Sequence, residues 1–268
     1  MNSSMGADRC YVCSSILQPG MRQCKKCKAW NNVAPIAALD DSTVLLGEAV
    51  GMPLERIKTK LVDLVFGGGI VRTSCNLLGG EPGAGKTTLS LQLADIFCDR
   101  YPGREALYIA NEQSPEELTE TARRLKLRNM KRIRIVKAMG GFAHDIGDLL
   151  LRFMPCFIVL DSVTKWAGED NNLAVVICQR LKDYCVKLNC PALVINQVTK
   201  SGDHAGLNKM QHAVDMTGMF DILLDDGESL SPDTPRRLSS LKNRFGPAPV
   251  EQFFEMTASG LEEIELDD

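Results

Sequence analysis

Residues Gly80-Glu81-Pro82-Gly83-Ala84-Gly85-Lys86-Thr87 follow the pattern G-x-x-x-x-G-K-[ST] and are followed by Thr88. They lie between an apolar run, Asn76–Leu78, and a helical stretch near 86–100. No other feature restricts the fold as much. Such a loop needs a strand before it and a helix after it, so that backbone N–H groups converge on a bound phosphate and the positive end of the helix faces it. In that setting Lys86 would bridge β- and γ-phosphate oxygens of ATP, and the Thr87 hydroxyl would sit on Mg2+.

The rest of the chain supplies the frame that the loop requires. Short apolar runs at Ala106–Ala110, Ile133–Val136, Phe157–Leu160, Ala192–Ile195 and Phe220–Leu224 alternate with helical patterns near 115–127, 145–153 and 173–189. Alternation of this kind predicts βαβ crossovers and a mostly parallel sheet covered on both faces, an α/β architecture. From Leu238 to Ile264, strand-like stretches broken at Gly246-Pro247 and Ser259-Gly260 predict an antiparallel extension.

Three further strand ends carry candidate chemistry. Phe157-Ile-Val-Leu160 ends in Asp161, placed to hold the water shell of the metal. Ala106–Ala110 runs into Asn111-Glu112-Gln113, and the strand order usual for such sheets puts this run beside the loop strand. Glu112 would then activate the attacking water, although Glu116 and Glu117 nearby also fit a plain helix start. Gln197 closes Ala192–Ile195 and is placed to sense the γ-phosphate.

Composition narrows the partners. A net charge of −3 excludes a global basic field, so nucleic-acid contact must come from local patches. Eight Lys and Arg residues from Arg123 to Lys137 form one such run, read first as a solvated helix face and second as a binding surface. Lys165-Trp166, just past Asp161, and Lys200 and Lys209 are the other DNA candidates; Trp166 would stack on a base or be buried. No run reaches the ~20 apolar residues of a membrane helix, and the N-terminus lacks a secretory signal pattern, so a cytoplasmic protein without a membrane partner is expected.

In that compartment disulfides are rare. Cys10-x2-Cys13, ten residues, then Cys24-x2-Cys27 has the spacing of a four-thiolate zinc ribbon, with a basic knuckle at Arg22, Lys25, Lys26 and Lys28. Residues 1–35 therefore read as a zinc module, 36–55 as a linker and lead-in helix, and 56–268 as the nucleotide-binding core.

The chain resembles the bacterial DNA-repair ATPase family RadA, also called Sms. The resemblance runs through Cys24-Lys-Lys-Cys27-Lys-Ala-Trp30-Asn31, Gly67-Gly-Gly69-Ile-Val, the Gly80–Leu89 loop, Val198-Thr-Lys200, His212-Ala-Val-Asp215, Lys242-Asn-Arg-Phe-Gly246 and Phe254–Leu261. It implies a RecA-like core and a DNA-stimulated ATPase that forms a hexameric ring. It also implies a motor that works on single-stranded or branched DNA beside a RecA-type recombinase, with ATP, Mg2+ and Zn2+ as cofactors. Lys242 and Arg244 would reach a neighbour's nucleotide. The chain reads as a short form, without the family's C-terminal Lon-protease-like domain, and Gly206-Leu-Asn-Lys-Met-Gln departs from the family's text. Two other functions stay open: an ATP-binding switch with little turnover, as in KaiC-like relatives, and an adaptor that recruits a recombinase through its zinc module.

Overall fold

The computed structural model describes residues 15, 23–26, 54–137, 146–197, 205–224, 231 and 234–265. Contacts divide the chain into two compact units, Met1–Pro53 and Leu54–Asp268. In the first, Cys24 is buried and its Sγ lies 3.1 Å from the Ser15 hydroxyl. Cys10, Cys13 and Cys27 lie outside the described residues, as does Lys200.

The second unit is built on strands β3 (Cys75–Gly80), β4 (Ala106–Ala110), β5 (Ile133–Lys137), β6 (Phe157–Asp161), β7 (Ala192–Gln197), β8 (Met216–Ile222), β9 (Arg236–Asn243), β10 (Glu251–Thr257) and β11 (Gly260–Ile264). They form one sheet in the order β11-β10-β9-β8-β3-β7-β6-β4-β5. The six from β8 to β5 pair in parallel, and β9, β10 and β11 add antiparallel to β8. A small antiparallel pair, β1 (Arg56–Ile57) with β2 (Ile70–Val71), precedes it.

Period-two alternation assigns each strand residue to a face. On β6, Phe157 and Val159 join one core with helices α1 (Lys86–Arg100) and α2 (Pro115–Arg124). Ile158 and Leu160 join the other, with α3 (Ile146–Phe153), α4 (Val163–Trp166), α5 (Asn171–Leu188) and α6 (Ala205–Met210). Both faces are covered, which is why the strands read as continuous apolar runs.

Local chemistry sets the helix ends. Ser114 caps α2 with a reciprocal capping box to Glu117, and Pro115 opens it, so Glu116 and Glu117 serve this helix start. Asp170 caps α5, and Asn189 ends it in the left-handed conformation.

The structure alters several sequence expectations. The strand ordering expected for Glu112 is wrong: β4 is separated from β3 by β7 and β6, about 14 Å at ~4.8 Å per strand. The expected strand Phe220–Leu224 begins instead at Met216, because Met-Thr-Gly-Met pairs with the loop strand without forming an aliphatic run. The helices at Val163–Trp166 and Ala205–Met210 were not legible; each is too short to show a period. Three members of the basic run have protein partners. Arg134 pairs with Glu105 at 2.5 and 2.8 Å, Arg128 pairs with Asp99, and Arg132 donates to the carbonyls of Cys98, Tyr101 and Arg104. These pairings account for Arg128, Arg132 and Arg134 as structural residues.

Phe157 is fully buried and stacks on Phe97 with ring centroids 4.4 Å apart. Phe157→Ala should lower unfolding free energy by about 3–5 kcal/mol. Urea denaturation monitored by circular dichroism checks this, and a loss below ~1 kcal/mol would show that the core collapses around the gap.

Candidate nucleotide site

The loop between β3 and α1 is shaped by what surrounds it. A Cβ on Gly80 would meet the Phe220 carbonyl oxygen at 2.3 Å, so β8 approaches too closely for any side chain. Gly85 holds φ at 108°, in the left-handed region, and starts α1. That helix has no side-chain cap and no acid in its first turn. Its leading N–H groups therefore present donors and a positive dipole end, which suits an anion.

Lys86 is buried, with Nζ 2.7 Å from the Gly80 carbonyl and 2.8 Å from that of Glu81. Burial pulls its pKa below the ordinary lysine value, while Glu112, Asp161 and Glu81 oppose the shift. The ammonium thus sits at the mouth of the loop among three carboxylates. Pro82 and Gly83 are exposed on the loop's outer side, and Ala84 and Thr88 are buried beneath it. Glu81 turns one carboxylate oxygen towards the Ile222 N–H, 3.4 Å away, and so ties the loop to β8.

Asp161 ends β6, buried, two strands from the loop strand. Burial and then Glu112 raise its pKa to about 6, while the Tyr108 hydrogen bond, Lys86 and Lys165 pull it down. Tyr108 was not singled out from the sequence. Its hydroxyl donates to Asp161 Oδ2 at 3.0 Å and receives the Ser90 hydroxyl at 3.3 Å. Burial raises the phenol's pKa well above its usual value, so it stays a donor. One buried tyrosine therefore ties α1, through Ser90, to Asp161, whose carboxylate is a hard oxygen donor of the kind Mg2+ prefers. The available signal was a polar atom inside Ala-Leu-Tyr-Ile-Ala, which is otherwise apolar.

Glu112 lies two residues past β4, whose ladder Asn111 extends by donating to the Asp161 carbonyl at 2.7 Å. From there its Oε1 is 3.3 Å from Lys165 Nζ, and its Oε2 accepts from Gln197 Nε2. Gln197 is the register partner of Gly80, so it stands beside the loop. Lys86, Asp161, Glu112, Gln197 and Lys165 thus gather at one end of the sheet, outside the carboxyl ends of its parallel strands.

Lys242 and Arg244 lie at the opposite end. Their neighbourhood is organised by Asp215, which caps the start of β3 by accepting from the Cys75 N–H at 3.1 Å. Asp215 also pairs with Lys182 at 2.6 Å and with Arg244 at 3.6 Å. Lys242 does not project outward as the sequence implied; its ammonium donates to the carbonyls of Gln211 and Val214, the latter at 2.9 Å. The β8–β9 pairing that brings the strand back over the 211–214 turn accounts for this. Arg244 remains half exposed. Among the DNA candidates, Lys165 and Lys209 are exposed, whereas Trp166 is partly buried and packs against the core.

A family model described as "ATPase: KaiC" matches residues 56–265. The chain is 29% identical to the DNA repair protein RadA of Aquifex aeolicus over 98% of its own length and 61% of that protein. For RadA of Haemophilus influenzae the identity is 30%, over 95% of this chain and 58% of that protein. The chain thus spans about three-fifths of the length of these curated relatives. The crystal structure of a KaiC-like protein from Pyrococcus horikoshii covers 80% of the chain with a TM-score of 0.65 at 18% identity, a likeness of fold. No described helix is long and apolar enough to cross a membrane. A phosphate loop on a six-strand parallel core, matched from β1 to β11 by that model, places the chain in the KaiC-type ATPase family, with a RecA-like core and a marked likeness to the RadA proteins.

Proposed function

We propose that the chain is a DNA-stimulated ATPase of recombinational repair that acts as an oligomeric, hexameric ring on single-stranded or branched DNA. The observation that carries this is the gathering of Lys86, Asp161, Glu112 and Gln197 at one sheet end, in a chain alike to RadA over nearly its whole length. When bound, Mg2+ would offset the charge of the phosphates, held by the Thr87 hydroxyl and, through water, by Asp161. Lys86 would shift from the Gly80 and Glu81 carbonyls to phosphate oxygens. Glu112 would orient and deprotonate the attacking water, and Gln197 would sense the γ-phosphate. Arg244, and Lys242 after leaving its carbonyl partners, would supply charge to a neighbour's nucleotide. Exposed Lys165 and Lys209, together with Lys200, would meet the DNA backbone.

One geometric fact supports the trans assignment. Arg244 follows the Asp215 node at the start of β3, and the loop lies at the other end of that strand, about 16 Å away over five steps of ~3.3 Å. An arginine so placed serves its own subunit's phosphates poorly. A second reading, a nucleotide switch with little turnover, draws support from the two partners that hold Glu112. The zinc ribbon of Cys10, Cys13, Cys24 and Cys27 belongs to the first reading; what supports it is the spacing, together with the burial of Cys24.

ATP turnover with and without single-stranded DNA separates the readings. Lys86→Ala should abolish nucleotide binding. Glu112→Gln should keep binding and lose on the order of 10²–10⁴ in kcat; normal turnover in that variant removes Glu112 from the mechanism. Lys86→Ala subunits mixed with Arg244→Ala subunits, each inactive alone, should recover partial activity, because some interfaces then pair an intact loop with an intact arginine. Co-assembled mixtures that stay inactive would exclude the trans role. Elemental analysis should find one zinc per chain, by the expected ligand set of four thiolates.

A further inference from the structure

We infer that Lys165 is a positioning residue that restrains Glu112 until a nucleic-acid phosphate draws it away. The inference rests on Glu112 being the water-activating group. Three chain segments meet at that carboxylate: the overrun of β4 that carries it, the short helix after β6 that carries Lys165, and the end of β7 that carries Gln197. Oε1 faces the Lys165 ammonium at 3.3 Å, and Oε2 accepts from the Gln197 amide. Oε2 is therefore held by a hydrogen bond, whereas Oε1, buried and without a hydrogen-bond partner among the described residues, is held only by the charge of the ammonium that faces it. The carboxylate is enclosed, with 15% of its side chain exposed, whereas Lys165 has 47% exposed. The two ends of the pair thus differ in access: the acid faces the site and the ammonium faces solvent.

That asymmetry makes the pair a switch rather than a brace. A lysine ammonium on a flexible stem moves readily between anions, and a DNA backbone offers a dense row of them. Once Lys165 turns to a phosphate, Glu112 keeps only its Gln197 partner, and Oε1 loses the cation that holds the carboxylate in place. An ion pair this open biases a population by up to about 5-fold, which sets the size of the effect.

The test measures steady-state ATP turnover of the full chain with and without a dT oligonucleotide, for wild type, Lys165→Met, Lys165→Arg and Glu112→Gln. Methionine keeps the apolar stem and removes the charge. Lys165→Met should raise DNA-free kcat by about 5-fold with KM for ATP unchanged, and should shrink the stimulation by a similar factor. Lys165→Arg, which preserves the pair, should restore low DNA-free turnover. A DNA-free kcat in Lys165→Met that is unchanged would overturn the restraint. A fall of tenfold or more would overturn it too, and would make Lys165 a charge donor to the phosphates. Wild-type turnover indifferent to the oligonucleotide would overturn the release step. Failure of the underlying reading is distinct: Glu112→Gln would then turn over normally whatever Lys165 does.

Discussion

Strand β3 is held in register on both flanks, by β7 and by β8, and its last residue has no room for a Cβ against the Phe220 carbonyl. The position of the phosphate loop follows from that packing. Because β7 is paired residue for residue with β3, Gln197 falls beside Gly80. Because β6 pairs with β7 and β4 with β6, Asp161 and then Glu112 follow at the same end. The site is a consequence of parallel register: strands that run the same way end together, and their terminal side chains share one crevice.

Within that crevice the groups are coupled by charge at low exposure. Asp161 is pushed towards neutrality by burial and by Glu112, and pulled back by Tyr108, Lys86 and Lys165. Lys86 is pushed the other way by the same burial and held charged by the same acids. The loop lysine, the two acids and Lys165 therefore form one electrostatic unit, in which moving a single cation alters every partner. That property makes an exposed lysine able to influence a buried carboxylate.

The opposite end of β3 has its own node. Asp215 caps the strand and gathers Lys182 and Arg244, while Lys242 is anchored on adjacent carbonyls. The two clusters thus occupy the two ends of one central strand.

Much of this was written along the chain. The loop pattern between a strand and a helix, the short continuous apolar runs and the acid ending Phe157–Leu160 are local signals, and local signals survive without a structure because backbone geometry requires them. The family likeness carried by Lys242-Asn-Arg-Phe-Gly246 was equally plain. Strand order was not: nothing in Ala106–Ala110 says that two later strands will insert between it and the loop, since hydrogen-bond pairing between distant segments leaves no period in either. For the same reason Tyr108 looked like one more core aromatic until Ser90 and Asp161 folded onto its hydroxyl. Lys165 looked like a DNA contact alone until Glu112 arrived beside it. Sequence by itself determined which groups the protein owns and the elements that carry them; tertiary structure decided which of those groups meet, because contacts between residues 50 or more positions apart are set by the packing of whole strands and helices.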